Sequence, residues 1–481
     1  MGPKNSLIRN TLALFVPNAV NPFLSFLLVL AISRYLGVEG LGQYSLILSF
    51  SLIFTTIASL GLGNLLVRQV TRSPKDVHVL FLNSVAFGIV SSILAVIGMN
   101  LFMQVMRYDK EVTLAALVCS FSLIPDTAMR FMESMFRALE RSEYLTACYM
   151  AENILRVAVC VYLVLSGYGI VSIFIAIFFT RLLAFFLMLF FYVRLNGMPR
   201  WTFSAEVWQM LLRETPTFIA IAIFSTVHMN IASVMLSKLK SIEAVGIYSA
   251  AGRIVGFCET LPMAFALAVL PFLTKKSSSG LADLKESSID SLRYVFLAVL
   301  PIVAGTFILS DDIIELIYGQ KFMSAGPVLR FQALTSIPYS IVLVLAQLLT
   351  ATDHQKVDLG INIAAVAISL ILNFLLIPRF GEMGAVFAVL FTIIILNHVQ
   401  YLYIRKLLFT IPFWEIMKKP LLATVGMSIV TYVLKGWNIL LIISASGLLY
   451  VLLLILFQAF TKDEIRDLKK VFRIGYSKEE Q

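Results

Sequence analysis

The sequence predicts an all-α integral membrane protein with about fourteen transmembrane helices, built as two six-helix halves in parallel repeat plus two C-terminal helices. Hydrophobic residues fill 59% of the 481 positions and charged residues 14%, and the mean hydropathy is +0.90. Soluble domains are about half apolar and a quarter charged. Apolar runs long enough for a helix to cross a ~30 Å hydrocarbon core recur along most of the chain.

Fourteen spans follow from these runs. They are residues 11–33, 41–64, 79–104, 112–136, 146–166, 170–193, 214–236, 245–273, 290–310, 326–350, 357–378, 383–404, 420–435 and 438–460. The first run contains Pro17, Asn18 and Asn21, and it is too long and too polar for the core of a signal peptide. We therefore predict it as the first helix.

The distribution of lysine and arginine predicts the orientation. With the N-terminus inside, 25 basic residues lie in the inner segments and 9 in the outer ones, which is the bias expected when both termini are cytoplasmic. The expected location is the cell membrane (the cytoplasmic or inner membrane). The net charge of +10 is explained by these short loops, so no nucleic-acid partner is expected.

Three polar segments lie outside the spans. Residues 274–289 form the longest polar connection, between the eighth and ninth spans. Residues 204–213 alternate polar and apolar positions at helical spacing, which predicts a helix along the inner interface before the seventh span. The tail from Thr461 is expected to be a solvated cytoplasmic helix or a disordered segment, and no soluble catalytic domain is evident.

The cysteines and the known catalytic motifs give no sign of an enzyme. Cys119, Cys148, Cys160 and Cys258 fall inside apolar runs without a metal-ligand spacing, so we interpret them as reduced packing residues and expect no cofactor or metal. No P-loop, HExxH or nucleophile-elbow motif occurs in a credible context.

An internal repeat predicts the domain organisation. The pattern E-x-x-G-x-Y-S occurs at residues 39–45 and again 204 residues later at residues 243–249, each time just before an even-numbered span. Tyr168-Gly169 and Phe380-Gly381 form a second echo. The predicted domains are two six-helix halves, helices 13–14 and a cytoplasmic tail: residues 1–203, 204–410, 411–460 and 461–481. Halves that both start inside are related by an axis along the membrane normal.

Four arginines lie in the interior of the predicted spans, away from the span ends: Arg130, Arg156, Arg181 and Arg253. An unpaired arginine at mid-bilayer costs at least ~2.5 kcal/mol, so each should face a cavity or a carboxylate. Asp126 and Glu152 each lie four residues before one of these arginines and can pair with Arg130 and Arg156 on one helix face. Those two pairs are open to a second interpretation, as internal neutralisation only.

Arg181 and Arg253 have no acidic residue three or four positions away on their own helices. Guanidinium groups make planar, bidentate contacts with phosphate oxygens, so an unpaired arginine in a cavity points to an anionic substrate. The alternative is a partner on another helix, such as Glu259 or Glu133.

Candidates for ion coupling are Asp126, Glu259 and His228, because carboxylates and histidines inside a membrane can carry protons or bind cations. His398 in the twelfth span belongs to the same class. Proton-coupled, sodium-coupled and uncoupled mechanisms are all open, and the alternative interpretation of the histidines is as hydrogen-bonded helix contacts.

Four motifs carry a family resemblance. They are SRYLGVEGLGQYS (33–45) between the first two spans, GIYSAAGR (246–253) at the start of the eighth, IYGQKF with AGPVL (317–322 and 325–329) before the tenth, and IPRFGEMGA (377–385) before the twelfth. In this order they resemble the polysaccharide-export flippases, the Wzx-type branch of the multidrug/oligosaccharidyl-lipid/polysaccharide exporter superfamily.

The resemblance implies a transporter that flips polyprenyl-diphosphate-linked oligosaccharides from the inner to the outer leaflet by alternating access, often with proton or sodium coupling. Polysaccharide assembly proteins are expected as further partners. A two-half bundle encloses its own pathway and needs no second copy, so a functional monomer is expected, although the sequence leaves the oligomeric state open. Arg253 matches a cavity arginine of the related peptidoglycan-precursor flippases, whereas arginines of those relatives in helices 1 and 2 have no counterpart before Arg34.

Two other classes compete with this function. An ion-coupled multidrug or cation exporter of the same superfamily would need a buried carboxylate near its substrate, such as Asp126 or Glu259. A membrane-embedded glycosyltransferase would need a large outer loop with clustered acids, and Asp311, Asp312 and Glu315 are the only candidates.

Overall fold

The computed structural model describes residues 3–72, 77–139, 141–198 and 202–459, with side chains described at most positions from Phe23 onward. Within these ranges the chain consists of helices joined by turns and short connections, which confirms the all-α prediction. The α-helices are α1 (Pro3–Ser59), α2 (Gly63–Arg72), α3 (Val77–Met106), α4 (Lys110–Phe121), α5 (Leu123–Ala138), α6 (Ser142–Leu165), α7 (Ile170–Asn196), α8 (Ala205–Leu239), α9 (Ile242–Ser277), α10 (Leu281–Ile308), α11 (Ser310–Tyr318), α12 (Ala325–Ala333), α13 (Ser336–Ala351), α14 (Gln355–Phe380), α15 (Glu382–Leu407), α16 (Phe413–Val433) and α17 (Ile439–Leu456). The predicted tail and the side chain of His228 lie outside the described part of the chain.

These helices account for the fourteen predicted spans. In the described ranges, eleven segments are long and apolar enough to cross a membrane. One of them holds the first two spans, because α1 is interrupted only at Gly37, whose φ of 70° is left-handed. The other two spans are α8 and the short α16, which has Lys418 and Lys419 in its first turns.

Two spans are broken near their middles. The fourth span consists of α4 and α5, which meet at Ser122, and the tenth consists of α12 and α13, which meet at Leu334 and Thr335. The second span ends at Ser59, earlier than predicted, and the amphipathic α2 follows it as a separate helix.

Two predicted connections are largely helical instead. Residues 34–40 are part of α1 except at Gly37. The polar stretch 274–289 is mostly helical, because α9 extends to Ser277 and α10 begins at Leu281. Residues such as leucine, lysine and glutamate in this stretch are good helix formers, so both helices continue beyond the apolar runs.

Segment 204–213 is helical, as predicted, but it forms the first turns of α8 rather than a separate interfacial helix. It is fastened to α3 by the buried Asn83, whose Oδ1 accepts hydrogen bonds from the Ser204 amide (3.0 Å) and the Trp208 indole (3.1 Å). The Asn83 amide donates to the Thr202 carbonyl at 2.8 Å. Leu211 is fully buried in a hydrophobic cluster with residues of α2, α3, α5 and α7.

One compact unit comprises residues 1–253, 317–322 and 366–385. In it α6 packs against α1 and α7, and α5 packs against α3. At the end of the unit where α5 finishes, Tyr192 of α7 stacks on Phe81 of α3 with ring centroids 3.7 Å apart. This packing brings α1, α5, α6 and α7 around the site described below.

Among the described residues, the second unit comprises residues 254–316, 323–365 and 386–459. Here α10 contacts α12, α13 and α16, and α16 packs against α17. The Tyr450 hydroxyl of α17 donates to the Leu297 carbonyl of α10 at 2.8 Å. This buried hydroxyl therefore has a hydrogen-bond partner within the otherwise apolar contact.

The two copies of the repeated motif contact each other within the first unit. A Cβ atom added to Gly42 would lie 3.0 Å from the Ile242 carbonyl carbon and closer still to its oxygen. A Cβ added to Gly246 would meet the Val38 carbonyl in the same way. Gly246 follows Gly42 by 204 residues and Ile242 follows Val38 by 204, so the contact is reciprocal, as two motifs related by a two-fold axis would make.

Candidate functional site

A charged stripe runs along α5. Asp126, Arg130, Glu133 and Arg137 are spaced four, three and four residues apart, which places them on one helix face. Asp126 lies in the first turn of α5, just after the break at Ser122, where a negative charge is favourable. Arg130 Nε lies 3.1 Å from Asp126 Oδ2, and Arg137 forms an ion pair with Glu133.

A second polar face belongs to α6. Arg156 places its Nε 3.7 Å from Glu152 Oε1 and donates from Nη2 to Asn153 Oδ1 at 2.5 Å. One turn earlier, the Tyr149 hydroxyl donates to Glu133 Oε2 at 2.9 Å and so joins α6 to the stripe on α5. Both ion pairs predicted from i, i+4 spacing, on α5 and on α6, are confirmed.

Arg181 of α7 connects the two faces. Its Nη1 lies 3.4 Å from Asp126 Oδ1, and its Nε lies 3.7 Å from Glu152 Oε1. Partners on other helices are therefore present, but they are these two carboxylates and not Glu259 or Glu133. The result is a continuous line of five alternating charges across α5, α7 and α6.

The charged side chains line a cavity of about 480 Å³. Its lining residues are Ser25, Asp126, Arg130, Glu133, Arg137, Ser142, Leu145, Thr146, Tyr149, Glu152, Asn153, Arg156 and Arg181. Among these described residues, Leu145 alone is aliphatic. Four arginines face three carboxylates, so the lining carries a formal charge of +1.

Exposure divides the arginines into two kinds. The side chains of Arg156 and Arg181 are 19% and 22% exposed, and those of Arg130 and Arg137 are 48% and 56% exposed. Arg181 uses two of its nitrogens on carboxylates, which makes it a bridge within the network. Arg130 lines the cavity and pairs with Asp126 through Nε, which leaves its two terminal amino groups without a hydrogen bond to the described residues.

The remaining predicted site residues lie elsewhere. Arg253 is an exposed residue of α9 and does not line the cavity; within the described part of the chain it makes no hydrogen bond or ion pair. Glu259, two turns further along α9, accepts a hydrogen bond from the Ser336 hydroxyl at 3.3 Å. His398 is exposed on α15, and the side chain of His228 is not described.

Sequence reasoning missed part of this site. Glu133 appeared only as an alternative partner for Arg181, Arg137 was counted only as a charge of the inner segments, and Tyr149 was not considered. A signal was present, because an acid followed four residues later by arginine occurs at 126–130 and again at 133–137. A shift of seven residues places the two pairs on the same face, two turns apart.

The described residues thus form a bundle of membrane-spanning helices with a polar, charged cavity lined by α1, α5, α6 and α7. The family model described as "Polysaccharide biosynthesis protein" matches residues 7–277, more than half of the chain. The chain belongs to this family, and the resemblance found in its motifs is confirmed.

A named relative supports the assignment to this family. The probable low-salt glycan biosynthesis flippase Agl15 of Haloferax volcanii is 29% identical over 161 residues. This match spans only about a third of that relative, 34% of its length and 33% of this chain.

Solved structures show the fold. The lipid II flippase MurJ in an inward closed conformation superposes with a TM-score of 0.77 over 94% of this chain and 99% of that chain, at 16% identity. An inward-facing multidrug resistance MATE family transporter of the MOP superfamily gives 0.65 over 82% of this chain and 97% of that chain, at 14% identity.

Proposed function

We propose that this protein flips a polyprenyl-(di)phosphate-linked oligosaccharide from the inner to the outer leaflet by alternating access, for the assembly of cell-surface polysaccharide or glycoconjugate. The observation that carries the proposal is the arginine-rich polar cavity lined by residues of α1, α5, α6 and α7. Its family and the flippase function named for its relative Agl15 support the same conclusion.

The cavity suits an anionic, hydrophilic head group. Its lining carries a positive formal charge, and Arg130 offers free guanidinium N–H groups with the fork geometry that phosphate oxygens accept. A volume of about 480 Å³ is within the range of small-molecule sites. Because the lining is almost entirely polar, a prenyl chain has no apolar wall there and stays in the bilayer.

The proposed roles of the arginines differ. Arg130 contacts the phosphate groups, while Arg156 and Arg181 hold the carboxylates and add positive potential. Arg253, exposed and unpaired within the described residues, serves as a further substrate contact on α9. The protein acts as a monomer in the cytoplasmic membrane with both termini in the cytoplasm, and polysaccharide assembly proteins supply or receive the substrate.

Transport is coupled to an ion gradient in this proposal. Asp126 and Glu259 are the candidate carboxylates, with His228 as a candidate outside the described side chains. Glu259 has only the Ser336 hydroxyl as a hydrogen-bond partner among the described residues, so a proton or a sodium ion would neutralise its charge in the membrane. Comparison of transport with a proton or a sodium gradient identifies the ion.

The second candidate function is an ion-coupled multidrug or cation exporter. The MATE fold and the three carboxylates of the cavity favour it. Against it, each of these carboxylates lies beside an arginine, and a cationic drug entering the cavity would meet an excess of positive charge. A lipid-linked anion therefore fits the lining better.

The test is translocation of a fluorescent polyprenyl-diphosphate oligosaccharide in proteoliposomes. We expect movement with wild type, a strong loss with Arg130→Ala and with Arg253→Ala, and wild-type activity with Arg194→Ala. Arg194 is an exposed residue in the last turn of α7 and serves as the control for a lost surface charge. Export of ethidium without glycan movement, by protein that melts like wild type, would overturn the proposal in favour of the drug exporter.

A further inference from the structure

One end of the cavity contains an arginine that no predicted role includes. Arg137, in the last turn of α5, is 56% exposed and lines the cavity together with Ser142 and Thr146 of α6. The positive-inside pattern assigns this end of α5 to the cytoplasm. Of the four arginines that line the cavity, Arg137 is thus the one nearest to the cytoplasmic end of α5.

The Arg137 guanidinium is held in place but not saturated. Glu133 pairs with one of its terminal nitrogens, and the other Glu133 oxygen accepts a hydrogen bond from the Tyr149 hydroxyl at 2.9 Å. A guanidinium has five N–H donors, so the pair with Glu133 leaves further donors of Arg137, a residue that lines the cavity, for a ligand. The hydroxyls of Ser142 and Thr146 add two further donors beside them.

The position of Arg137 relative to Arg130 defines two separate anion sites. The two arginines lie seven residues apart on α5, about 10 Å along the helix axis. Each has its own carboxylate four residues earlier. The two arginines thus lie about two helix turns apart on one face of α5, so a phosphate bound at Arg137 would move inward along this face to reach Arg130.

We propose that Arg137, positioned by Glu133 and Tyr149 and assisted by Ser142 and Thr146, forms an entry site for the phosphate group of a prenyl diphosphate. The substrate binds here first and then passes to Arg130. This inference rests on the proposed flippase function, but binding at the entry site can be measured without transport.

The neighbouring Arg141 supplies a matched control. It lies four residues from Arg137, its side chain is 54% exposed, and it also has an acidic neighbour, Glu143, at 4.0 Å. It does not line the cavity. A diffuse effect of positive charge at this membrane surface would therefore respond equally to the loss of either arginine.

The first experiment measures binding of farnesyl diphosphate to purified protein in detergent by isothermal titration calorimetry. We expect Arg137→Ala to raise the Kd roughly tenfold, since one charged hydrogen-bonding partner is lost, and Arg141→Ala to leave it unchanged. Tyr149→Phe should give a smaller increase, because Glu133 keeps its arginine but loses its second anchor. Equal Kd values for wild type and Arg137→Ala, or equal losses for the two alanine variants, would overturn the entry site.

Two further ligands distinguish the sources of the phosphate. Pyrophosphate without a lipid should bind more weakly than farnesyl diphosphate but with the same dependence on Arg137. Phosphatidylglycerol in nanodiscs should not compete; if it displaces farnesyl diphosphate through Arg137, the site is a general lipid head-group site and the inference is wrong.

The transport assay separates this inference from the proposed function. An entry site predicts that Arg137→Ala raises KM for the fluorescent glycan about as much as it raises the Kd, with little change in kcat, whereas Arg130→Ala lowers kcat. If farnesyl diphosphate binds with the expected dependence on Arg137 but no glycan moves, the flippase function fails and the phosphate site stands. A loss of kcat alone in Arg137→Ala would refute the entry role.

Discussion

The glycine contact between the two copies of the repeat gives a sharp prediction. Replacement of Gly42 or Gly246 by alanine puts a methyl group against the main-chain carbonyl of Ile242 or Val38, nearer than 3.0 Å to its oxygen. Main-chain atoms cannot rotate away as a flexible side chain can, so α1 and α9 have to separate by about 1 Å at the crossing.

The expected cost follows from this geometry. Overpacking of a closely packed contact lowers the stability of the fold by about 1–3 kcal/mol, and the better helix propensity of alanine offsets at most about 1 kcal/mol of this loss. Both single variants should therefore unfold at a lower temperature than wild type. Because the first methyl group already separates the helices, the second has more room, and the double variant should lose less stability than the sum of the two single losses.

A glycine with free space around it provides the control. Gly360 in α14 has no atom within 4 Å of an added Cβ, so Gly360→Ala should leave stability unchanged or raise it by up to about 1 kcal/mol. The assay is thermal unfolding of the purified protein in detergent, followed by tryptophan fluorescence. The reasoning is refuted if Gly42→Ala has the same melting temperature as Gly360→Ala. It is also refuted if the double variant at residues 42 and 246 loses as much stability as the two single variants together.

Three further predictions concern the charged network, the α8 connection and α9. Arg181→Ala should lower the free energy of unfolding by about 3 kcal/mol, because Asp126 and the buried Glu152 lose a largely buried partner. Adding Asp126→Asn should restore part of the loss, and a single variant that melts like wild type would contradict the bridge. Asn83→Ala removes three hydrogen bonds to the chain before and within α8, worth about 1 kcal/mol each. Limited proteolysis should therefore cut this connection faster than in wild type. An unchanged cleavage rate would exclude the attachment. Arg253→Lys keeps the charge but loses the fork, so glycan translocation should fall several-fold; a fully active lysine variant would mean that charge alone suffices.

The sequence was sufficient wherever one helix contains the whole feature. Asp126 and Arg130, or Glu152 and Arg156, lie four residues apart, and a helix converts that spacing directly into contact. Arg181 shows the limit, because its two carboxylates belong to α5 and α6 and no spacing along α7 encodes a contact between helices. Its partners become evident only once α5, α6 and α7 are packed.

Helix ends were harder to predict than helix centres. Apolar runs indicate where a chain can cross the bilayer, but a helix need not stop where the hydrocarbon ends. In the polar stretch after the eighth span, α9 therefore continues to Ser277, and only three residues separate it from the start of α10 at Leu281. The break at Ser122 places Asp126 at the start of a new helix. It lies within an apolar run, so the amino-acid composition of this segment did not predict it.

The hydrogen bonds of Asn83 also determine where α8 can bend. The chain that leads into α8 is attached to α3 from Thr202 to Trp208, so it follows α3 in any movement and has no slack of its own. Eight residues beyond Trp208, Pro216 lies inside α8, where the missing N–H removes one main-chain hydrogen bond and weakens the helix locally. The segment from Thr202 to Trp208 is thus held rigidly against α3, and the first position at which α8 can bend easily is Pro216.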